Sequence, residues 1–104
     1  MHYISTRGTA PVLGFEDTML TGLARDGGLY VPDSMPQFAP EHIAEMAGLP
    51  YEEVAFRVIR PFTGGAFAEE ALRGMIARAY DRIDHPARAP LRQLGPDHFL
   101  LELF

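Results

Sequence analysis

YISTRG (residues 3–8) and GLARDGGLYVP (residues 22–32) frame the stretch that decides how this chain folds. The first motif opens on a short strand, His2 to Ser5, and runs into a loop that lasts to Pro11. Between the motifs, Phe15, Met19, Leu20 and Leu23 recur at helical spacing. Glu16 and Asp17 sit in the first turn, where the positive end of the helix dipole favours acids. The pattern predicts a helix over residues 15–24, with Gly27-Gly28 as its left-handed stop. Leu29-Tyr30-Val31 then reads as a brief extended piece closed by Pro32.

Beyond this stretch, helices dominate. Pro40 suits the first turn of a second helix over residues 41–47, ended by Gly48. Pro50 opens a third, with Val54, Val58 and Ile59 on its apolar side and Pro61 near its end. Thr63-Gly64-Gly65 is a turn. A fourth helix is expected over residues 68–82, with Leu72, Ile76, Ala79 and Tyr80 facing inward. Residues 91–94 and 98–104 read as strands joined by a tight Gly95-Pro96-Asp97 turn. The fold expected is α+β, a small and mainly helical domain with short strands.

Composition narrows the function classes. A chain of 104 residues fits one small domain, able to bury roughly 65% of its unfolded surface. A mean hydropathy of −0.04 is that of a soluble globular chain. No apolar run approaches the roughly 20 residues of a membrane span. The start shows neither the basic region nor the apolar stretch of a signal peptide, so the cytoplasm is the expected location. A net charge of −5 argues against nucleic acid and against an anionic membrane surface. The chain has no cysteine, which excludes thiolate nucleophiles and cysteine-bound zinc. All nine basic residues are arginine, so there is no lysine. The four histidines show no metal-ligand spacing. Gly64-Gly65 lacks the spacing of a phosphate-binding loop.

The two framing motifs resemble the N-terminal region of threonine synthase. Pro90-Leu91 through Leu94-Gly95, followed by Leu101-Glu102-Leu103-Phe104, is similar to the segment of that family that leads to its cofactor lysine. The resemblance covers essentially the whole chain, in the family's order; residues 40–85 match in pattern more than in residues. It implies the N-terminal domain of a fold-type II pyridoxal-phosphate enzyme, with residues 1–90 as a helical domain and residues 91–104 as the start of the α/β body that holds the cofactor. It also implies a small-molecule substrate for the parent, O-phospho-L-homoserine, converted with water to L-threonine and phosphate. In the family, a His-Gly-Pro-Thr stretch and the Schiff-base lysine follow shortly after the point where this sequence stops. An ε-amine must attack the cofactor aldehyde. This chain has none, so no catalytic or cofactor-binding residue is expected within it. The chain alone is expected to bind no cofactor and to be inactive.

Five residues are candidates for the rim of a substrate cleft. Arg7 can grip a carboxylate or phosphate through its planar fork, and the family's substrate carries both; the competing reading is an ion pair that fixes the loop. Ser5 and Thr6 add hydroxyl donors beside it. Asp26 lies in a turn that either lines the cleft or, with its glycines, stops the helix. Tyr30 either places its hydroxyl at the cleft or is a core residue with a satisfied tip. The acidic pairs Glu52-Glu53 and Glu69-Glu70 are better explained as helix N-terminal charges.

The run Phe99-Leu100-Leu101-Glu102-Leu103-Phe104 is almost continuously apolar, which suits a strand buried on both faces. It is expected to pair with the remainder of a longer threonine synthase chain or, through residues 99–104, with another copy. The alternative is a stand-alone, non-enzymatic interaction domain that docks a partner through this strand. A third reading is a phosphate-binding regulatory domain built on Arg7.

Overall fold

The computed structural model describes residues 1–103. Nine elements follow one another: β1 (His2–Ser5), β2 (Leu13–Gly14), α1 (Phe15–Thr21), β3 (Tyr30–Pro32), α2 (Pro40–Ala44), α3 (Tyr51–Thr63), α4 (Glu69–Tyr80), β4 (Leu91–Gly95) and β5 (His98–Leu101). Short strands and helices mixed in this way make an α+β domain. β1 is the centre of a three-stranded antiparallel sheet in the order β2-β1-β3. β4 and β5 form a separate antiparallel hairpin.

The core sits between α3 and α4, where Ala55, Phe56, Leu72 and Ile76 are buried together with Tyr51, Ile59, Phe67 and Tyr80 against them. Tyr51, Ala55 and Ile59 in α3 and Leu72, Ile76 and Tyr80 in α4 recur every four positions, so each helix turns one stripe inward. Arg73 spans the two helices. Its guanidinium stacks 3.6 Å from the centre of the Phe56 ring and pairs with Glu53 and Glu69. Arg57 completes the cluster at 2.9 Å from Glu53, and the hydrogen bonds from Arg73 and Arg57 hold the Glu53 carboxyl below its ordinary pKa.

An aromatic chain joins this core to the sheet. Tyr3 is buried and meets Phe15 at 6.1 Å between ring centres; Phe15 meets Phe67 edge-on at 5.9 Å. The Tyr3 hydroxyl donates to the Phe62 carbonyl at 2.8 Å, and burial pushes the phenol pKa up. The inner face of the sheet is thereby fixed to the end of α3.

Several local expectations change. α1 stops at Thr21 because Gly22 turns to a positive φ of 71° and bonds back to Thr18. The later glycines therefore stop no helix. Met19, Leu20 and Leu23 are exposed rather than buried. α2 is shorter than expected, with residues 45–48 in turns. In α3 the buried positions are Ala55, Phe56 and Thr63, with Val58 exposed. Pro61 is accommodated in the last turn, where the chain is about to leave the helix at Gly64, φ 60°. Ala79 is exposed on α4. β2 has no counterpart in the sequence reading, since two residues carry no periodic signal. The hairpin turn at Pro96-Asp97 matches the expectation, and Phe104 lies outside the described residues. Among those residues, no helix is long and apolar enough to cross a membrane, and no group of His, Cys, Asp and Glu could hold a metal ion.

Candidate functional site

The end of β1 and the turn before β3 meet, because β1 and β3 pair with Ser5 across from Tyr30. The Thr6 amide donates to the Leu29 carbonyl at 2.8 Å, and the Leu29 amide donates to Thr6 Oγ1 at 3.0 Å. Gly8 then reverses the chain, its amide donating to the Ser5 carbonyl at 3.0 Å with a φ of 76°. On the other side, the Gly27 amide donates to the Ala24 carbonyl at 2.8 Å and the Ala24 amide to the Gly28 carbonyl at 3.0 Å. This is a tight reversal, flanked by a bridge between Leu23 and Leu29.

Asp26 stands at the tip of that reversal, and its carboxylate accepts five hydrogen bonds. Oδ1 takes the Ser5 hydroxyl at 2.8 Å and the Gly28 amide at 3.0 Å. Oδ2 takes the Thr9 amide and hydroxyl, both at 3.1 Å, and the Ala10 amide at 2.9 Å. One side chain thus ties the end of β1, the loop before β2 and its own turn together. Desolvation by these neighbours acts to raise the Asp26 pKa. The hydrogen bonds from Ser5, Gly28 and Thr9 outweigh it and hold the carboxyl far below the usual carboxylate range.

Gly28 makes the junction possible. A Cβ there would lie 2.3 Å from Ser5 Oγ, closer than side chains sit, and 3.0 Å from Thr6 Oγ1, a tight approach. Gly27 combines a φ of +80° with Arg7 Nη1 at 3.0 Å from where its Cβ would be. Both glycines therefore serve backbone approach, not helix termination.

Arg7 packs over this turn. Its Nη1 donates to the Asp26 carbonyl at 3.1 Å. Among the described residues, no carboxylate lies within ion-pair distance of it, so the expected ion pair is replaced by a backbone tether. The guanidinium carries five N–H donors and the side chain is exposed, so most of its fork still faces outward. The Tyr30 hydroxyl donates to the Pro11 carbonyl at 3.0 Å.

All five candidates from the sequence are thus neighbours. Their chemistry differs from one to the next. Asp26 has both oxygens committed and its proton lost, which leaves no lone pair poised as a base. Ser5, Thr6 and Tyr30 are engaged with protein partners. Arg7 retains free donors that suit an anion. The sequence reading missed Thr9 and Ala10, whose bonds to Asp26 close the network; the Asp-Gly-Gly turn and the Ser5-Thr6-x-x-Thr9 run were the available signals. The larger concavities lie elsewhere. One, of about 400 Å³, is lined by residues including His2, Phe15, Thr63 and Gly65; another, of about 360 Å³, by Arg82, Ile83, Asp84 and His85.

Comparison with known proteins adds a family to this geometry. The profile described as threonine synthase N terminus matches residues 2–80. Threonine synthase from Pseudomonas aeruginosa is 54% identical over the whole of this chain, which covers 22% of that protein. Human threonine synthase-like 2 is 32% identical over 105 aligned residues, again with 22% of its length covered. Among solved structures, the pyridoxal-phosphate-bound threonine synthase of Brucella melitensis superposes with a TM-score of 0.94 and 51% identity over all of this chain and 22% of that one. The yeast enzyme gives 0.79 at 29% identity, over 86% of this chain and 18% of its own. The chain spans about a fifth of the length of the relatives it matches. With a profile match over most of its length and a whole-chain superposition on a solved threonine synthase, this chain belongs to the threonine synthase family.

Proposed function

We propose that this chain is the N-terminal scaffold of a threonine synthase, a pyridoxal-phosphate-dependent carbon–oxygen lyase that converts O-phospho-L-homoserine and water to L-threonine and phosphate in the cytoplasm. The observation that carries the reading is the superposition of the entire chain on a pyridoxal-phosphate-bound threonine synthase. When bound, the cofactor supplies an electron sink for proton removal and phosphate loss. Residues 1–104 do not fit the role of its covalent holder, because the sequence contains no lysine. The Schiff-base amine must come from residues other than these, so the chain alone is inactive. Within this reading, residues 1–90 form the helical domain and residues 91–104 begin the α/β body.

The chain's own contribution is positional. Asp26 locks the loop between β1 and β2 to the turn before β3, Ser5, Thr6 and Tyr30 brace them, and Gly27 and Gly28 let Arg7 lie flat against the turn. Arg7 then presents donors for a carboxylate or phosphate at the rim of the cleft. The test uses these 104 residues joined to the rest of the Pseudomonas aeruginosa relative in place of its own matching segment. Arg7→Gln should raise the KM for O-phospho-L-homoserine while kcat changes little. An unchanged KM with a lowered Tm would leave Arg7 a purely structural tether.

A second reading rests on the hairpin. Leu91, Leu94, Phe99, Leu100 and Leu101 are all exposed, and the pair is held by its own ladder. Such an edge suits strand addition by a partner or by another copy through residues 99–104. Self-association that persists in dilute solution and is abolished by Phe99→Asp would favour it.

A further inference from the structure

Residues 81–90, in turns and irregular backbone, connect α4 to β4. The connector closes on itself in short steps. The Ile83 amide donates to the Tyr80 carbonyl at 3.0 Å, and the Arg88 amide to the His85 carbonyl at 2.9 Å. At its far end the Glu102 amide donates to the Pro90 carbonyl at 2.9 Å, so the hairpin begins where the connector stops. Arg88 carries the strain. Its φ is 58°, and it is the one non-glycine with a positive φ among the described residues. A left-handed backbone crowds Cβ against the following carbonyl oxygen, so an arginine stays there where its surroundings hold it. Here the side chain does the holding. The guanidinium donates through Nη1 to the Ile83 carbonyl, and through Nη2 to Glu52 Oε1 at 3.1 Å in the first turn of α3. A fully solvated ion pair contributes little. This one is partly buried, with the Arg88 side chain 23% exposed, and it bridges 36 positions of sequence. Beside it lies a cavity of about 180 Å³, lined by Tyr51, Tyr80, Ile83, Arg88, Ala89 and Leu103. The connector forms one wall and the α3–α4 core another, which leaves the connector room to shift.

We infer that the Arg88–Glu52 pair is a conformational latch: it holds a strained connector against the first turn of α3, and its release changes the direction in which β4 leaves the helical core. Two arrangements follow from the chemistry. In the closed one the pair is made and offsets the left-handed backbone. In the open one both charges are hydrated, Arg88 returns to a right-handed or extended backbone, and the turn from His85 to Arg88 opens. Strain favours release and the pair favours closure, so a modest change in the pair shifts the populations. The inference concerns the chain's own connector and does not depend on the proposed function.

The test uses the 104-residue chain, which contains no cysteine of its own. Spin labels are placed at Ala71→Cys on α4 and Ala87→Cys in the connector, both exposed positions. Double electron–electron resonance then reads the distance from core to connector. In the otherwise unsubstituted chain the distribution should be single and narrow. Glu52→Gln removes the charge and leaves the strain; Arg88→Gly removes both. Each should widen the distribution by about twofold or more as the open arrangement becomes populated, with unchanged helical circular dichroism. The double variant should be no broader than the wider single one, because partners in one contact act as a unit. Raising the salt to about 1 M should broaden the unsubstituted chain and leave Glu52→Gln unmoved, since screening acts on the pair. This salt arm decides the matter even where a substitution disturbs the fold. A distribution that is broad from the start, or one that stays narrow in Glu52→Gln and in high salt, overturns the latch. Broadening confined to Arg88→Gly assigns the effect to the freedom of glycine and overturns it equally.

Discussion

The N-terminal sheet and the C-terminal hairpin are both small antiparallel assemblies, yet they are held in different ways. In the sheet, side chains reinforce the backbone ladder: Asp26 accepts from Ser5, Thr9, Ala10 and Gly28, and Tyr3 reaches the end of α3. In the hairpin, the ladder stands almost alone. Arg92 pairs with Glu102 at 3.0 Å, and the apolar side chains of β4 and β5 are exposed. A two-stranded hairpin is marginal in water without a packed face. The sheet is a finished piece of architecture on its inner side, whereas the hairpin takes its stability from whatever it meets. The comparison teaches where the chain's specificity resides: in one carboxylate and two glycines, not in strand length.

The sharpest way to probe the contrast is to remove packing from each side. Phe56→Ala should destabilise the chain by about 3–5 kcal/mol, as a buried aromatic truncation does, read from the urea midpoint. Gly28→Ala should cost about 1–3 kcal/mol, because its methyl overlaps Ser5 Oγ and the junction must shift. Asp26→Asn leaves one oxygen as acceptor and turns an amide donor toward the amides of Thr9 and Ala10 or of Gly28; its Tm should fall by several degrees. Leu100→Ala in the hairpin should change stability by no more than about 0.5 kcal/mol. If Leu100→Ala proved as costly as Gly28→Ala, the hairpin would be packed on the domain and the contrast would fail.

Acid provides a separate probe. The Asp26 pKa is depressed in the folded chain, as are those of Glu52 and Glu53. Each binds fewer protons folded than unfolded, so its stabilisation is full above the unfolded value near 4 and is lost as pH falls below it. The Tm should drop below about pH 5, and Asp26→Asn should flatten that drop. An equally steep fall in the variant would assign acid sensitivity to the Glu52 and Glu53 pairs instead.

Much of this architecture was legible in the sequence. The α3–α4 pair follows from Leu72 and Ile76 at helical spacing, and β1 and the β4–β5 turn fall where the alternation and Pro96-Asp97 place them. The end of α1 was misread because Leu23 extended the apolar periodicity past Gly22, and the pattern alone does not reveal which glycine turns left-handed. Met19, Leu20 and Leu23 recur at helical spacing yet are exposed, because sequence reports hydrophobicity and not which layer supplies the cover. The five site candidates are neighbours in the fold. Their division of labour was not legible, since the bonds from Thr9 and Ala10 to Asp26 depend on a loop that no periodicity describes.

Phosphate release from O-phospho-L-homoserine, in the presence of pyridoxal phosphate, tests the account most directly. These 104 residues alone should release none, and the same residues joined to the rest of the Pseudomonas aeruginosa relative should release it catalytically. Turnover by the isolated chain, or a folded and cofactor-loaded chimera with no turnover, would contradict the reading of this chain as the scaffold of a threonine synthase.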